Sequence, residues 1–242
     1  MINNLERIEG MMLSDRLKAI ADFVPLNSIV GDIGTDHGYL PVYLIEKGIC
    51  KKVIASDISR NSLEKIIQLV KSKGLEEKID IRLGDGLKVF KPFEVDTLVI
   101  AGMGGLLIRN ILDENKEVTD SVVNFILQPN LASKELREYL YENSFEIVDE
   151  KLVKESGKFY EIIFAKKGKD YVEDDIYLEF GKRLFLNKDP LLGEYIQHKI
   201  KMMENIIFEL KITDSQKSRE RYYELKEKIE SFKEVLSRIE SF

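Results

Sequence analysis

The stretch Ile29-Val30-Gly31-Asp32-Ile33-Gly34-Thr35-Asp36-His37-Gly38-Tyr39-Leu40 reads as the close of an apolar strand, an acid, a glycine-bearing turn and the opening of a helix. In such a turn backbone N–H groups can approach a ligand closely, and the helix N-terminus adds partial positive charge. A nucleotide-like ligand is the expectation. The pyrophosphate of a dinucleotide asks for G-x-G-x-x-G, whereas these glycines fall as G-x-x-G-x-x-x-G. Asp32 and Asp36 would suit a ligand that carries positive charge far better than a pyrophosphate. Asp36 also reads as a cap for the helix beginning near Tyr39.

The same grammar repeats outward from this loop. Val53-Ile54-Ala55-Ser56-Asp57 is a second apolar run ending in an acid, where a carboxylate can accept both ribose hydroxyls. Leu83-Gly84-Asp85-Gly86 ends a third. There Asp85 could accept from the exocyclic amine of adenine while Gly86 leaves room for the ring, although Asp-Gly is also a common turn. A fourth run, Asp96 to Ile100, leads into Ala101-Gly102-Met103-Gly104-Gly105. Small residues there let the backbone pass close to a cofactor and a base, and Met103 could pack on an aromatic ring; a tight strand-to-helix turn explains the same residues. Acids at three successive strand ends point to an adenosine-containing ligand more specifically than any one of them. A methyl donor of the sulfonium type, with an ammonium at its aminoacyl end, would meet the carboxylates with charge of the right sign.

Between Ser28 and Lys167 short β-branched runs alternate with amphipathic stretches, the pattern of stacked βαβ units. Strands are predicted over Ser28–Gly34, Lys52–Asp57, Ile79–Leu83, Val95–Ala101 and Val122–Gln128, with helices near Leu40–Lys47, Ser62–Ser72, Gly105–Asp113 and Ser133–Glu142. Glu146–Lys154 and Phe159–Ala165 are separated only by Glu155-Ser156-Gly157-Lys158. That is too short for a helical crossover, so they should pair as an antiparallel hairpin. The fold class is α/β, a Rossmann-like, mostly parallel sheet with a terminal antiparallel hairpin, similar to the class I methyltransferase sheet. Upstream, Ser14 could cap a helix carrying Leu17, Ile20, Ala21 and Val24 at helical spacing and ending at Pro25, placed to cover the first loop.

After Lys169 the pattern is helical throughout. Ile196, Ile200, Met203, Ile207 and Leu210 form one heptad-like stripe; Tyr222, Leu225, Ile229, Phe232, Leu236 and Ile239 form another. Lys211-Ile212-Thr213-Asp214-Ser215 interrupts them, so the two helices should fold back as an antiparallel coiled-coil pair. The expected organisation is a catalytic domain over 1–168 with an N-terminal helical cover, then a helical tail over 169–242. With 242 residues, 44% hydrophobic, the chain can bury one sizeable core and an appendage. No long uncharged apolar run suggests a membrane span. One cysteine, Cys50, and a start without a signal-peptide pattern suggest the cytoplasm. The net charge is −6 and neither part is basic overall, so any nucleic-acid surface must be patchy.

Taken together, Gly31 through Pro41, Gly84-Asp85-Gly86, Ala101 through Gly105, Gln128-Pro129-Asn130, Lys158-Phe159-Tyr160-Glu161 and the helical tail resemble the bacterial tRNA (adenine(22)-N1)-methyltransferase family. The resemblance spans nearly the whole chain. It implies S-adenosylmethionine as cofactor, tRNA as partner, and methyl transfer to N1 of an adenine in the D-arm. On it the cofactor-binding residues are Asp32, Gly34, Asp36, His37, Gly38, Asp57, Asp85, Gly86, Ala101, Gly102, Met103 and Gly104. Relative to the general class I loop with three alternating glycines, Asp36 stands at the middle glycine.

The residues agree with a ring-nitrogen target. Methylation of an exocyclic amine commonly uses an Asp/Asn-Pro-Pro-aromatic run after the fourth strand, and here Ala-Gly-Met-Gly-Gly stands there. Methylation at pyrimidine C5 needs a thiol, and Cys50 sits at the wrong end of its strand. Radical variants need three cysteines. With His37 and His198 as the only histidines, a histidine metal centre is not expected. Adenine N1 already offers an in-plane lone pair, so alignment should outweigh base catalysis, and the base must be extruded or unpaired. Candidates for this work are Asp15, Gln128 and Asn130 as catalytic residues, with Arg16 and Tyr160 on the substrate; helix start, turn around Pro129 and core packing are their plainer roles. Lys18, Lys166, Lys167 and Lys169, and on the tail Lys217, Arg219 and Arg221, could meet tRNA phosphates, or simply be solvated. An NAD- or nucleotide-dependent Rossmann oxidoreductase and a non-catalytic RNA-binding protein are the alternatives. The oligomeric state is left open by the sequence, with a monomer favoured.

Overall fold

Ser14 caps the first helix. Its hydroxyl accepts from the Leu17 N–H at 3.3 Å, starting α1 (Asp15–Asp22), which buries Ala19, Ile20 and Ala21. The computed structural model describes residues 13–210 and 216–240. From α1 the chain alternates β1 (Ser28–Ile33), α2 (Tyr39–Glu46), β2 (Cys50–Asp57), α3 (Arg60–Lys73) and β3 (Ile79–Leu83). A single 3-10 turn at Gly86–Val89 precedes β4 (Thr97–Gly104), α4 (Gly105–Glu114), α5 (Lys116–Ser121), β5 (Asn124–Leu131) and α6 (Ser133–Glu142). The hairpin β6 (Phe145–Glu155) and β7 (Lys158–Lys167) is followed by α7 (Ile176–Phe180), α8 (Lys182–Leu186), α9 (Leu192–Leu210) and α10 (Gln216–Glu240).

The seven strands form one sheet in the order β3-β2-β1-β4-β5-β7-β6. The first five are mutually parallel, and β7 runs antiparallel to both β5 and β6. The sheet grows one way from β1 to β3 and the other way from β4 onward. The junction of β1 and β4 is thus the switch point at which open α/β sheets bind ligands beyond their carboxyl ends. Alternate side chains feed two cores. Val30, Val53, Val99, Ile126 and Ile162 pack with Ile20, Val42 and Ile66 on one face; Ile54, Leu98, Ile100, Phe125 and Ile163 pack with Ile108, Leu136 and Leu140 on the other.

β4 and β5 run further than the sequence predicts, to Gly104 and Leu131. Their pairing continues through an irregular register, Ala101↔Gln128, then Met103↔Pro129 and Gly104↔Leu131. Short α5 and the 3-10 turn have no counterpart in the predicted pattern, and α7 and α8 fall in the stretch read as helical without being marked there as separate helices, because four to six residues are too few to set up a periodicity.

The chain divides into two compact units, Met1–Leu184 and Phe185–Phe242. The first extends past the expected boundary at Gly168 because a buried ion cluster stitches α7 and the start of α8 onto it. Arg137 of α6, wholly buried, holds Glu150 of β6 at 2.7 Å and Glu161 of β7 at 2.6 Å, and donates to the Leu178 carbonyl at 3.1 Å. The second oxygen of Glu150 accepts from the Arg183 N–H. In the second unit α9 and α10 pack antiparallel, Gly193 beside Leu236 and Ile207 sharing a groove with Ile229. Ile196, Ile200, Met203 and Ile207 are buried as the stripe predicts, and so are Leu225, Ile229 and Phe232. Val235, outside the stripe, is buried too, while Tyr222, Leu236 and Ile239 are half-buried. The interruption at 211–215 lies outside the described residues.

Candidate active site

The carboxyl ends of β1, β2, β3 and β4 open into one cavity of about 860 Å³, and Asp32, Asp57 and Asp85 all line it. Each acid reaches it by the same route, at or near the end of a strand or in the turn that follows. Gly34 turns the chain after β1 with φ +75°, and a side chain there would collide with the Met103 methyl. Gly86 does the same work after Asp85, at φ +54° against the Glu114 carboxylate. Asp36, His37, Ala101, Gly102 and Met103 complete this part of the wall.

The three acids differ in setting. Asp32 is buried, and that burial pushes its carboxyl up to about 6; the Thr35 side chain pulls it down and the Asp57 carboxylate raises it further. The Thr35 hydroxyl is itself buried yet meets no partner in full hydrogen-bond geometry among the described residues. Asp57 accepts from the Ser59 N–H at 2.8 Å and the Asp36 N–H at 3.2 Å, which locks the first loop to the end of β2. Asp85 is exposed and pairs with Lys88. Its turn is braced from α4, where Glu114 accepts from the Leu87 N–H at 2.9 Å.

The cavity is also lined by the start of α1 and by the hairpin, through Arg16, Leu17, Glu155 and Tyr160. Arg16 lies 5.4 Å over the Tyr160 ring and donates to Gln128 Oε1 at 2.6 Å. Gln128 is fully buried and uses every hydrogen-bonding position it has. Its oxygen also accepts from the Gly102 N–H at 3.1 Å, and its amide donates to the Pro129 carbonyl and to Asn130 Oδ1. Asn130 in turn donates to the Gly102 carbonyl at 2.7 Å. One side chain thus fixes α1, the end of β4 and the end of β5 relative to one another.

Several expected site residues lie elsewhere. Gln128 is not in the wall; all four of its bonds are taken by protein, so it positions neighbours and cannot meet a base. Asp15 points to solvent and pairs with Lys18 at 3.1 Å. Gly38 and Gly104 act through the backbone, as the N-caps of α2 and α4. Lys167 lies beside the start of β5, at the amino end of the parallel strands and so away from the acids, stacked on Phe145 and paired with Asp120 at 2.7 Å. Lys217, Arg219 and Arg221 belong to α10 of the second unit, where Arg221 pairs with Glu224. Cys50 opens β2, at the opposite end from Asp57, and burial pushes its thiol up to about 12.

Ser14, Thr35 and Glu155 line the wall and are absent from the sequence-based candidates. Thr35 lies within the first loop between two acids, a position that marks it. Glu155 carries no local signal, since only the fold brings the hairpin turn against α1. Among the described residues no group of three or more His, Cys, Asp or Glu could hold a metal ion, and no helix is long and apolar enough to cross a membrane.

A family model described as tRNA (adenine(22)-N(1))-methyltransferase matches residues 30–234. The Bacillus subtilis tRNA (adenine(22)-N(1))-methyltransferase is 34% identical over 235 residues, covering 93% of this chain and 98% of its own. A Streptococcus pneumoniae structure in complex with S-adenosyl-L-methionine superposes with TM-score 0.84 at 36% identity, over 93% of this chain and all of that one. The M. capricolum TrmK structure, in complex with S-adenosyl-homocysteine, gives TM-score 0.81 at 29% identity, over 94% and 99% of the two chains.

Proposed function

The chain belongs to the tRNA (adenine(22)-N(1))-methyltransferase family, and from that premise we propose that its cavity binds S-adenosylmethionine and directs the methyl group to N1 of adenine 22 in the D-arm of tRNA. The observation that carries this reading is the convergence of Asp32, Asp57 and Asp85 on one cavity. The donor set fits the cofactor. A buried carboxylate with the Thr35 hydroxyl beside it suits an ammonium and its amino-acid end. Asp57 suits the ribose, and Asp85 with the open space at Gly86 suits adenine.

When bound, the cofactor supplies an electrophilic methyl on a sulfonium, so that the N1 lone pair forms the new bond while the old bonding pair returns to sulfur. The protein's part is placement. Gly34 and Gly102 keep the wall thin where donor and base must meet, and Gln128 holds Arg16 and Asn130 at the same rim. Alignment of this kind can remove roughly 7 kcal/mol or more of barrier. No general base is required, because N1 is largely unprotonated at neutral pH.

tRNA would present the target base to the cavity past the exposed Asn130 and the Arg16–Tyr160 side. Within the second unit, Lys217, Arg219 and Arg221 of α10 are the cations that could take phosphate. A single cysteine and a tRNA substrate fit a cytoplasmic enzyme, and a monomer suffices for the site as built from one chain. Calorimetry tests the cofactor assignment: S-adenosylhomocysteine should bind the wild-type protein and bind Asp57→Ala at least tenfold more weakly, with NAD binding neither. Binding of NAD in preference to S-adenosylhomocysteine would overturn it.

A further inference from the structure

We propose that Arg16 and Glu155 read the Hoogsteen edge of the target adenine, leaving N1 free to face the methyl donor. The inference rests on the reading of the cavity as an adenine-N1 methylation site and assigns the residues that select the base. Because N1 itself must react, recognition has to use another part of the base. Adenine's other edge presents N7 as an acceptor and the exocyclic amine as a donor, whereas guanine presents two acceptors, N7 and O6. A donor set beside an acceptor therefore separates the two purines. Arginine can only donate, and a carboxylate can only accept.

The fold brings one of each to the rim. Arg16 comes from α1 and Glu155 from the last position of β6, and both line the cavity with Tyr160. Glu155 Oε1 accepts from the Asp15 N–H at 2.9 Å, the residue next to Arg16, so the hairpin end and the helix start are tied at this spot. Among the described residues neither Arg16 nor Glu155 enters an ion pair, which leaves the second carboxylate oxygen and most of the guanidinium N–H groups to a ligand. Gln128 and the Tyr160 ring fix where the guanidinium points. The chemistry favours a carboxylate over a neutral acceptor here. As positive charge passes from sulfur to the adenine ring, the amine becomes a stronger donor, and a carboxylate gains most at that moment.

The test is a substrate cycle on the full chain. tRNA carrying adenosine, purine riboside (no amine) or 7-deazaadenosine (no N7) at the target position is methylated by wild type, Glu155→Ala, Glu155→Gln and Arg16→Ala, with S-adenosylhomocysteine binding measured for each. On adenosine, Glu155→Ala should lower kcat/KM on the order of tenfold or more, and Glu155→Gln, which keeps an acceptor, should recover part. On purine riboside the Glu155→Ala defect should vanish relative to wild type, and on 7-deazaadenosine the Arg16→Ala defect should vanish. Equal fold-defects on analogue and adenosine would mean that these residues act only by seating α1, and the inference falls. If the wild-type protein binds S-adenosylhomocysteine but methylates no adenine, the functional reading falls first and this one with it.

Discussion

Asp32 concentrates the conflict between folding and binding in this protein. Its carboxyl is pushed from the ordinary 3.8 up to about 6, chiefly by burial. The folded state therefore holds a proton more tightly than the unfolded chain does, so the unliganded protein is favoured below about pH 4 and loses that advantage as pH rises through about 6. Integrated over that window, the charged form costs at most about 3 kcal/mol of stability. Asp32→Asn should accordingly raise the melting temperature of the unliganded protein at about pH 8, give no gain near pH 4, and abolish cofactor binding. A variant no more stable than wild type under the alkaline condition would show that Asp32 is already paired. Wild-type affinity for S-adenosylhomocysteine should also fall as pH drops through about 6, since the protonated acid no longer attracts the ammonium.

Among the secondary-structure elements, what holds the hairpin to the helices is ionic as well as apolar. Arg137 is caught between Glu150 and Glu161 with no exposed surface, and Glu150 is pushed upward by burial. Removing the cation alone strands two carboxylates: Arg137→Ala should cost roughly 3–5 kcal/mol in urea unfolding, whereas Arg137→Met with Glu150→Gln and Glu161→Gln should cost much less. Equal losses in the two proteins would mean that packing, not charge, dominates there.

Strands β1, β2 and β3, the hairpin and α6 are legible in the sequence because each carries a full period of its pattern. So are the three acids, since strand ends are marked by where an apolar run stops. Gln128 is visible but misleading. Sequence places it in a turn near a ligand edge, and only the packed structure shows that α1, β4 and Asn130 consume its hydrogen-bonding capacity. Lys167 misleads for a related reason: the antiparallel return of β7 carries its end to the amino end of the parallel strands, opposite the ligand-binding ends. Glu155 and the start of α1 have no sequence signal in common, because the bond that joins them spans 140 positions of chain.

At the scale of the whole molecule the chain forms two compact units, Met1–Leu184 and Phe185–Phe242. The first carries its own two-faced core and the entire cavity, so a chain ending at Leu184 should unfold cooperatively and bind S-adenosylhomocysteine as the full chain does. The second should matter for tRNA. Replacing Lys217, Arg219 and Arg221 together by alanine should weaken tRNA binding and flatten its salt dependence, by roughly 0.7–0.9 in the logarithmic slope for each phosphate no longer neutralised. An unchanged slope would leave α10 without a role in holding the substrate.

The sharpest test of adenine-N1 methylation by this cavity is incubation of the full chain with unmodified tRNA and S-adenosylmethionine, followed by mildly acidic digestion and nucleoside analysis. 1-Methyladenosine should form at position 22 and be absent when Asp57 or Asp32 is replaced. Methyl groups on the exocyclic amine or on another base, or 1-methyladenosine formed equally well without those carboxylates, would refute the assignment.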